Sequence, residues 1–215
     1  LVIAKDGTVT INASDTVNMD YASNFTAKTW VNNGTINVDV AGLSLNTATP
    51  THTIVTVTGN GEIIPGNIVL NNNTNNYALT VIGRNIVIGI PVATIGEGEN
   101  TKNFAKLQDA IDAVEASTAT TINLLENITE DVTVPAGKEI TLKLGDKTIT
   151  GAVEGDDHAV ISNSGNLTIN ATTGGIAAKG MAVINKGTLS VNGGIYSSSD
   201  KDATVFECEA DATIE

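Results

Sequence analysis

An internal repeat constrains this chain more than any other feature. Residues 158–170 align with 180–192 at an offset of 22, placing Asn163 on Asn185, Gly165 on Gly187, Leu167 on Leu189 and Asn170 on Asn192. At the same offset Ile161 meets Val183, Thr168 meets Ser190 and Ile169 meets Val191, and Val205 lies a further 22 beyond Val183. Upstream, Leu144 lies 23 residues before Leu167, and Leu124 lies 20 before Leu144. Such a period, rich in β-formers, marks a solenoid in which each repeat buries its apolar face on its neighbours. Leucine-rich repeats share the length, but their dense leucine pattern is absent, which favours a β-solenoid. Stacked coils should then carry Leu144, Leu167 and Leu189 in one interior column. They should also place Asn163 over Asn185 and Asn170 over Asn192 as hydrogen-bonded ladders at the turns. Gly165, Gly187, Gly174-Gly175 and Gly193-Gly194 allow the sharp bends between strands.

Composition points the same way for the rest of the chain. Among 215 residues there are 30 Thr and 24 Asn against 3 Phe, 3 Tyr and 1 Trp. Thr and Val favour strands and Asn and Gly favour turns, so an all-β chain of short strands is expected and an all-helical one is excluded. No apolar run of about 18 residues occurs, so no membrane span is expected. A single cysteine excludes an internal disulfide framework, and Cys208 reads as a small semi-buried residue. A formal net charge of −13 argues against nucleic acid as a partner, because phosphate binding needs clustered Lys and Arg.

Charge also divides the chain. Residues 1–95 carry 3 Lys+Arg and 5 Asp+Glu, whereas 96–215 carry 8 and 19. The break falls at the polar, glycine-containing stretch Gly96-Glu97-Gly98-Glu99-Asn100, so a domain boundary is expected there. Residues 1–95 contain period-two runs such as Thr8-Val9-Thr10-Ile11-Asn12 and Thr53-Ile54-Val55-Thr56-Val57-Thr58, separated by Asn/Gly clusters. These read as a β-sandwich-like module, with an irregular solenoid as the other reading. Residues 103–117 break the pattern: Phe104, Leu107, Ile111 and Val114 recur at helical spacing, predicting one α-helix with Asn103 or Thr101 as N-cap. Its position just before the first coil predicts that its apolar stripe caps the solenoid's open end. A linker helix packed on the sandwich is the alternative.

The stretch from Phe104 to Ser198 resembles right-handed β-helix, pectate-lyase-like regions of large bacterial cell-surface, adhesin-like proteins. The resemblance is carried by the helix, by the element "VPAGKEITLKLGDKTITG" at 134–151, and by the coils "NSGNLTIN" at 163–170 and "NKGTLSVNGGIY" at 185–196. It implies a helix-capped right-handed β-helix over 96–215, serving as a stalk or an adhesive face. In the lyases themselves it implies calcium-dependent cleavage. Residues 30–58 are similar to the later strands of cohesin-like and carbohydrate-binding sandwiches, which implies a protein–protein attachment module as a further reading. The start at Leu1 and the end at Glu215, within the strand-like run Thr213-Ile214-Glu215, suggest a fragment of a longer chain. The composition suggests an extracellular or cell-surface location.

The residues give no positive sign of catalysis. A calcium site wants six to eight oxygens; the best supply is Glu154, Asp156 and Asp157, which read first as a solvated turn between coils. Calcium is therefore the one cofactor to consider, and otherwise none is expected. Lys138, Lys143, Lys147, Lys179 and Lys186 read as exposed charges, and His52 and His158 lack paired ligand spacing. A β-helix polysaccharide lyase or glycoside hydrolase is the enzymatic alternative. Sugar rings pack on exposed aromatics, and the candidates are Trp30, which reads also as core, and Tyr77, which follows the Asn-rich loop 71–76 and is expected at the surface. The expectation is a non-enzymatic module whose partner is a polysaccharide, a host or cell-surface glycan, or a protein.

Overall fold

The computed structural model describes residues 8–61, 63–96, 98–153, 158–209 and 213–214. The chain forms two compact units, Leu1–Ile90 and Pro91–Glu215, and both are mostly β.

The first unit holds β1 (Thr8–Ile11), β2 (Thr16–Asp20), β3 (Phe25–Ala27), β4 (Thr29–Asn32), β5 (Thr35–Asp39), β6 (Thr51–Val57), β7 (Ile63–Ile64), β8 (Asn67–Asn71), β9 (Ala78–Ile82) and β10 (Asn85–Gly89). They make three sheets, in the orders β1-β4-β7, β2-β5-β8 and β3-β6-β10-β9. The chain visits these sheets in rotation. The first two are wholly parallel, with Val9 beside Trp30 and Ile36 beside Val17 and Ile68. Among the described strands of this unit only β6, β10 and β9 pair antiparallel. This differs from the expected β-sandwich-like module, which is built of antiparallel pairs. The period-two alternation behind that expectation is identical for parallel and antiparallel strands. Trp30, Ile36, Val38, Ile54, Ile86 and Ile88 fill the core.

The second unit holds β11 (Ala93–Ile95), a 3-10 turn at Gly98–Asn100, β12 (Lys102–Phe104), α1 (Leu107–Ala113), β13 (Ala119–Leu124), β14 (Ile128–Thr129), β15 (Val132–Val134), β16 (Glu139–Gly145), β17 (Thr148–Thr150), β18 (Ala159–Asn163), β19 (Asn166–Ala171), β20 (Gly175–Ala178), β21 (Met181–Asn185), β22 (Thr188–Asn192), β23 (Ile195–Ser198), β24 (Phe206–Cys208) and β25 (Thr213–Ile214). From β13 onward, successive strands enter three parallel sheets in turn: β13-β16-β19-β22-β25, β14-β17-β20-β23 and β15-β18-β21-β24. β11 joins the first sheet antiparallel to β13 and β12, which places it in this unit.

The 22-residue repeat appears as strand register. Leu167 lies beside Leu189, Thr168 beside Ser190 and Asn170 beside Asn192, while Ile161 lies beside Val183 and Asn163 beside Asn185. Leu167, Ile169, Leu189, Ile161 and Val183 are all buried, each such side chain stabilising by about 1.5–3 kcal/mol. The expected Leu144–Leu167–Leu189 column is not formed. Ile140 lies beside Leu167 and Leu142 beside Ile169, with a register shift at Lys143/Gly145. The offset fails because residues 151–158 are inserted between β17 and β18, where only 179–180 separate β20 from β21. Likewise Phe206, not Val205, lies beside Val183.

The helix is shorter than the expected 103–117. Phe104 belongs to β12 and pairs with Ala93 of β11, and the N-cap is Lys106, in extended backbone, rather than Asn103 or Thr101. Leu107, Ala110, Ile111 and Val114 still enter the same core as Ile122, Ile140 and Leu142. Side chains tie α1 to the neighbouring strands. The Glu130 carboxylate accepts the backbone N–H groups of Leu107 (2.9 Å) and Gln108 (3.0 Å). The Gln108 amide donates to Thr133 O (3.0 Å) and accepts from Thr133 N (2.8 Å), bonding the unpaired side of edge strand β15. Lys138 Nζ donates to Asp112 O (3.0 Å) and to Val114 O at the helix C-terminus.

Candidate functional site

Both units turn from one sheet into the next through an Asn-x-Gly corner. Asn163 and Asn185 end β18 and β21 and are 1% and 0% exposed. Asn163 Oδ1 accepts from Gly165 N (3.1 Å), and its Nδ2 donates to Asn185 Oδ1 (2.7 Å) and Thr188 O (2.9 Å). Asn185 repeats the pattern on Gly187 N (3.3 Å) and Gly187 O (3.1 Å). In the first unit Asn32 accepts from Gly34 N (3.0 Å) and donates to Pro65 O (2.8 Å). The glycine is required by close approach: a Cβ on Gly187 would lie 2.2 Å from Gly165 O, and one on Gly34 would lie 2.4 Å from Asn12 O.

The corner leads into a sheet whose outer face is regular. On β13, β16, β19 and β22 the residues facing away from the core align as Thr121, Thr141, Thr168 and Ser190, beside Asn123, Lys143, Asn170 and Asn192. The four hydroxyl residues are half-buried. Asn192 Nδ2 donates to Asn170 Oδ1 (2.8 Å). The first unit repeats the motif on β2 and β5, where Thr16 lies beside Thr35 and Asn18 beside Asn37, with Asn37 donating to Asn18 (2.8 Å). At the end of those strands Asn72 donates to Asp39 (3.0 Å). That bond, with the Ala41 N–H, holds the Asp39 carboxyl below the usual aspartate range.

Two cavities among the described residues of the second unit bear on this face and on α1. One, of about 240 Å³, is lined by Ile95, Gly96, Ala119, Thr121, Asn123 and Lys143, at the head of the hydroxyl row. The other, of about 590 Å³, is lined by Lys106, Asp109, Asn127, Thr129, Glu130 and Asp131. Its carboxylates have structural partners: Glu130 holds α1, and Asp131 accepts from Ala152 N (3.0 Å) and Val153 N (3.0 Å) and meets His158 Nε2 at 3.0 Å. Asp131 thus holds both flanks of the 151–158 connection. Neither Glu130, Asp131 nor Gln108 was marked by any motif; each acts on backbone more than 20 residues away in sequence.

The residues singled out in the sequence fall differently. Trp30 is 0% exposed and packs on Phe25 at 5.5 Å between ring centroids. Tyr77 is 7% exposed; its hydroxyl donates to Leu43 O (3.1 Å) and accepts from Leu45 N (3.0 Å), stapling a loop. Neither ring offers a face for a sugar, because each fills the apolar interior that flanking strands enclose. Glu154, Asp156 and Asp157 lie outside the described residues. Among the described residues no group of three His, Cys, Asp or Glu side chains is placed to share a metal ion. His52 bonds Tyr21 O (2.8 Å). Cys208 is exposed rather than semi-buried, following Asn185 in register. Lys147 pairs with Asp146 (3.1 Å) and holds that carboxyl below its usual range, and Lys186 pairs with Glu209 (2.7 Å). No described helix is long and apolar enough to cross a membrane.

No family model matches the chain, and comparisons with curated proteins and with solved structures gave no match either.

Proposed function

We propose that Pro91–Glu215 forms a helix-capped, right-handed β-helix within an extracellular bacterial surface protein, and that it works without catalysis as a stalk that presents a glycan-binding face. The observation that carries this reading is the rotation of successive strands, from β13 onward, through three sheets in which they pair in parallel. That arrangement gains length by adding coils and exposes a repeating surface. The right hand follows from the steric preference of crossovers between parallel strands. The polar groups that a catalytic reading would draw on support the structural one. Glu130 and Asp131 bond main-chain N–H groups, and Asp131 also meets His158.

The test is a binding and degradation screen of the whole chain against plant, microbial and mucin-type polysaccharides, with and without calcium. Retention on a polymer without chain shortening supports an attachment module. Calcium-dependent shortening above a matched blank overturns it in favour of a polysaccharide lyase or hydrolase and directs attention to Glu154, Asp156 and Asp157.

A further inference from the structure

The outer face of β13, β16, β19 and β22 differs from the rest of its unit in charge. Residues 96–215 carry an excess of 11 acidic groups. Yet the three outward rows of this face, which run from Ala119, Thr121 and Asn123 to Thr188, Ser190 and Asn192, contain one acid, Glu139, and one base, Lys143. The face is therefore neutral within an acidic body. Strand propensity accounts for the Thr row but not for the Asn row, since Asn is depleted in strands. The Asn row has its own explanation in the amide-to-amide bond from Asn192 to Asn170. The central row is different: Thr121, Thr141, Thr168 and Ser190 are half-buried, and their hydroxyls have no hydrogen-bond partner among the described residues. The row repeats at the strand spacing of about 4.8 Å, and the amide row runs parallel to it about 6.6 Å away. At its head lies the 240 Å³ recess shared by Thr121, Asn123 and Lys143.

We propose that this face binds one strand of an uncharged, hydroxyl-rich polysaccharide lying along the stack of strands, one sugar unit to each rung. The inference rests on the glycan-binding reading above and adds where the polymer lies and what holds it. An extended sugar chain advances by close to one strand spacing per unit, so each rung can offer a hydroxyl to each sugar. A neutral face selects against a cationic protein, and the unit's acidity selects against a polyanion. With no aromatic on the face, each contact is a hydrogen bond of modest net value, and affinity comes from repeating it over four rungs.

The experiment measures depletion of the whole chain by insoluble cellulose and chitin. It compares the natural sequence, a Thr141→Val/Thr168→Val double variant, and a Thr148→Val/Thr150→Val control on another sheet. Valine keeps the shape and the strand propensity. A Thr141→Ser/Thr168→Ser variant retains the hydroxyls and separates their loss from any packing change. The expected result is retention of the natural chain, about tenfold or greater weakening in the face variant, and unchanged binding in the control and serine variants, at low and high salt alike. Equal retention of the natural chain and the face variant overturns the assignment of the face while leaving the glycan reading intact. Retention lost at high salt overturns an uncharged partner. A natural chain that neither polymer retains overturns the face assignment for these polymers, and the broader screen above decides the glycan reading separately.

Discussion

Buried asparagines fix the corners of this fold from within its apolar core. Asn185 is buried and binds both main-chain groups of Gly187 as well as the Asn163 amide. Asn185→Ala leaves those groups without partners inside the protein, so it should cost about 2–3 kcal/mol, read as a lowered midpoint in urea with an unchanged slope. A loss under about 0.5 kcal/mol would show that water replaces the amide. Tyr196 makes the opposite case. Its ring packs on Phe206 at 5.0 Å, and its hydroxyl is buried without a partner among the described residues. Burial raises its pKa above the ordinary 10.0. A raised folded pKa means stability that is intact below the unfolded pKa and falls as pH rises through the folded one. Ultraviolet titration should therefore show a phase above the ordinary tyrosine range that Tyr196→Phe removes. Tyr196→Phe forfeits no hydrogen bond, so its melting temperature at neutral pH should be unchanged or higher, and its loss of stability at alkaline pH should be smaller.

At the scale of elements, α1 closes an edge by imitation. The Gln108 amide presents a donor and an acceptor to Thr133 much as a neighbouring strand would. Gln108→Ala should cost about 1–2 kcal/mol. Hydrogen exchange should speed up at the Thr133 amide first, whereas a general loosening of α1 would speed up Ile111 and Val114 equally. No sequence pattern announces such a contact, since one glutamine on a helix face is ordinarily a solvated residue. What could be read from the sequence was whatever repeats at a fixed interval: the pairing of Asn163 with Asn185, Leu167 with Leu189 and Asn170 with Asn192 is the register observed. The same counting went astray at Leu144, because an insertion in a connection moves the strands on either side without altering their apolar alternation. In the first unit the alternation located strands but not their sense of pairing, which is settled by long-range contacts. The aromatic residues misled for a related reason: Trp30 and Tyr77 are too few and too large to be spared from a core otherwise built of Val, Ile and Leu. The repeat matched Thr168 with Ser190 and Asn170 with Asn192, yet these become part of a surface only once register sets Thr121, Thr141 and Asn123 in line with them.

At the scale of the whole second unit, stability should follow the count of neighbouring strands. β16, β18 and β19 each pair on both sides, whereas β23, β24 and β25 pair on one side only among the described residues. In a stack where each layer touches only the next, the free energy of opening is a local term plus its interfaces, and a layer with one interface opens at the lower cost. The opposite end is not bare: Glu130, Gln108 and Lys138 fasten α1 there, and Leu107, Ile111 and Val114 continue the core. Native-state hydrogen exchange should therefore show a gradient. Protection should be greatest at Ile140, Leu142, Ile161 and Leu167, and should fall through Leu189 and Val183 to Tyr196 and Phe206, with α1 closer to the middle than to β23 and β24. Protection that is uniform from β13 to β24 would mean that the unit opens all at once, and that the Asn163–Asn185 ladder couples its layers more strongly than nearest-neighbour packing does.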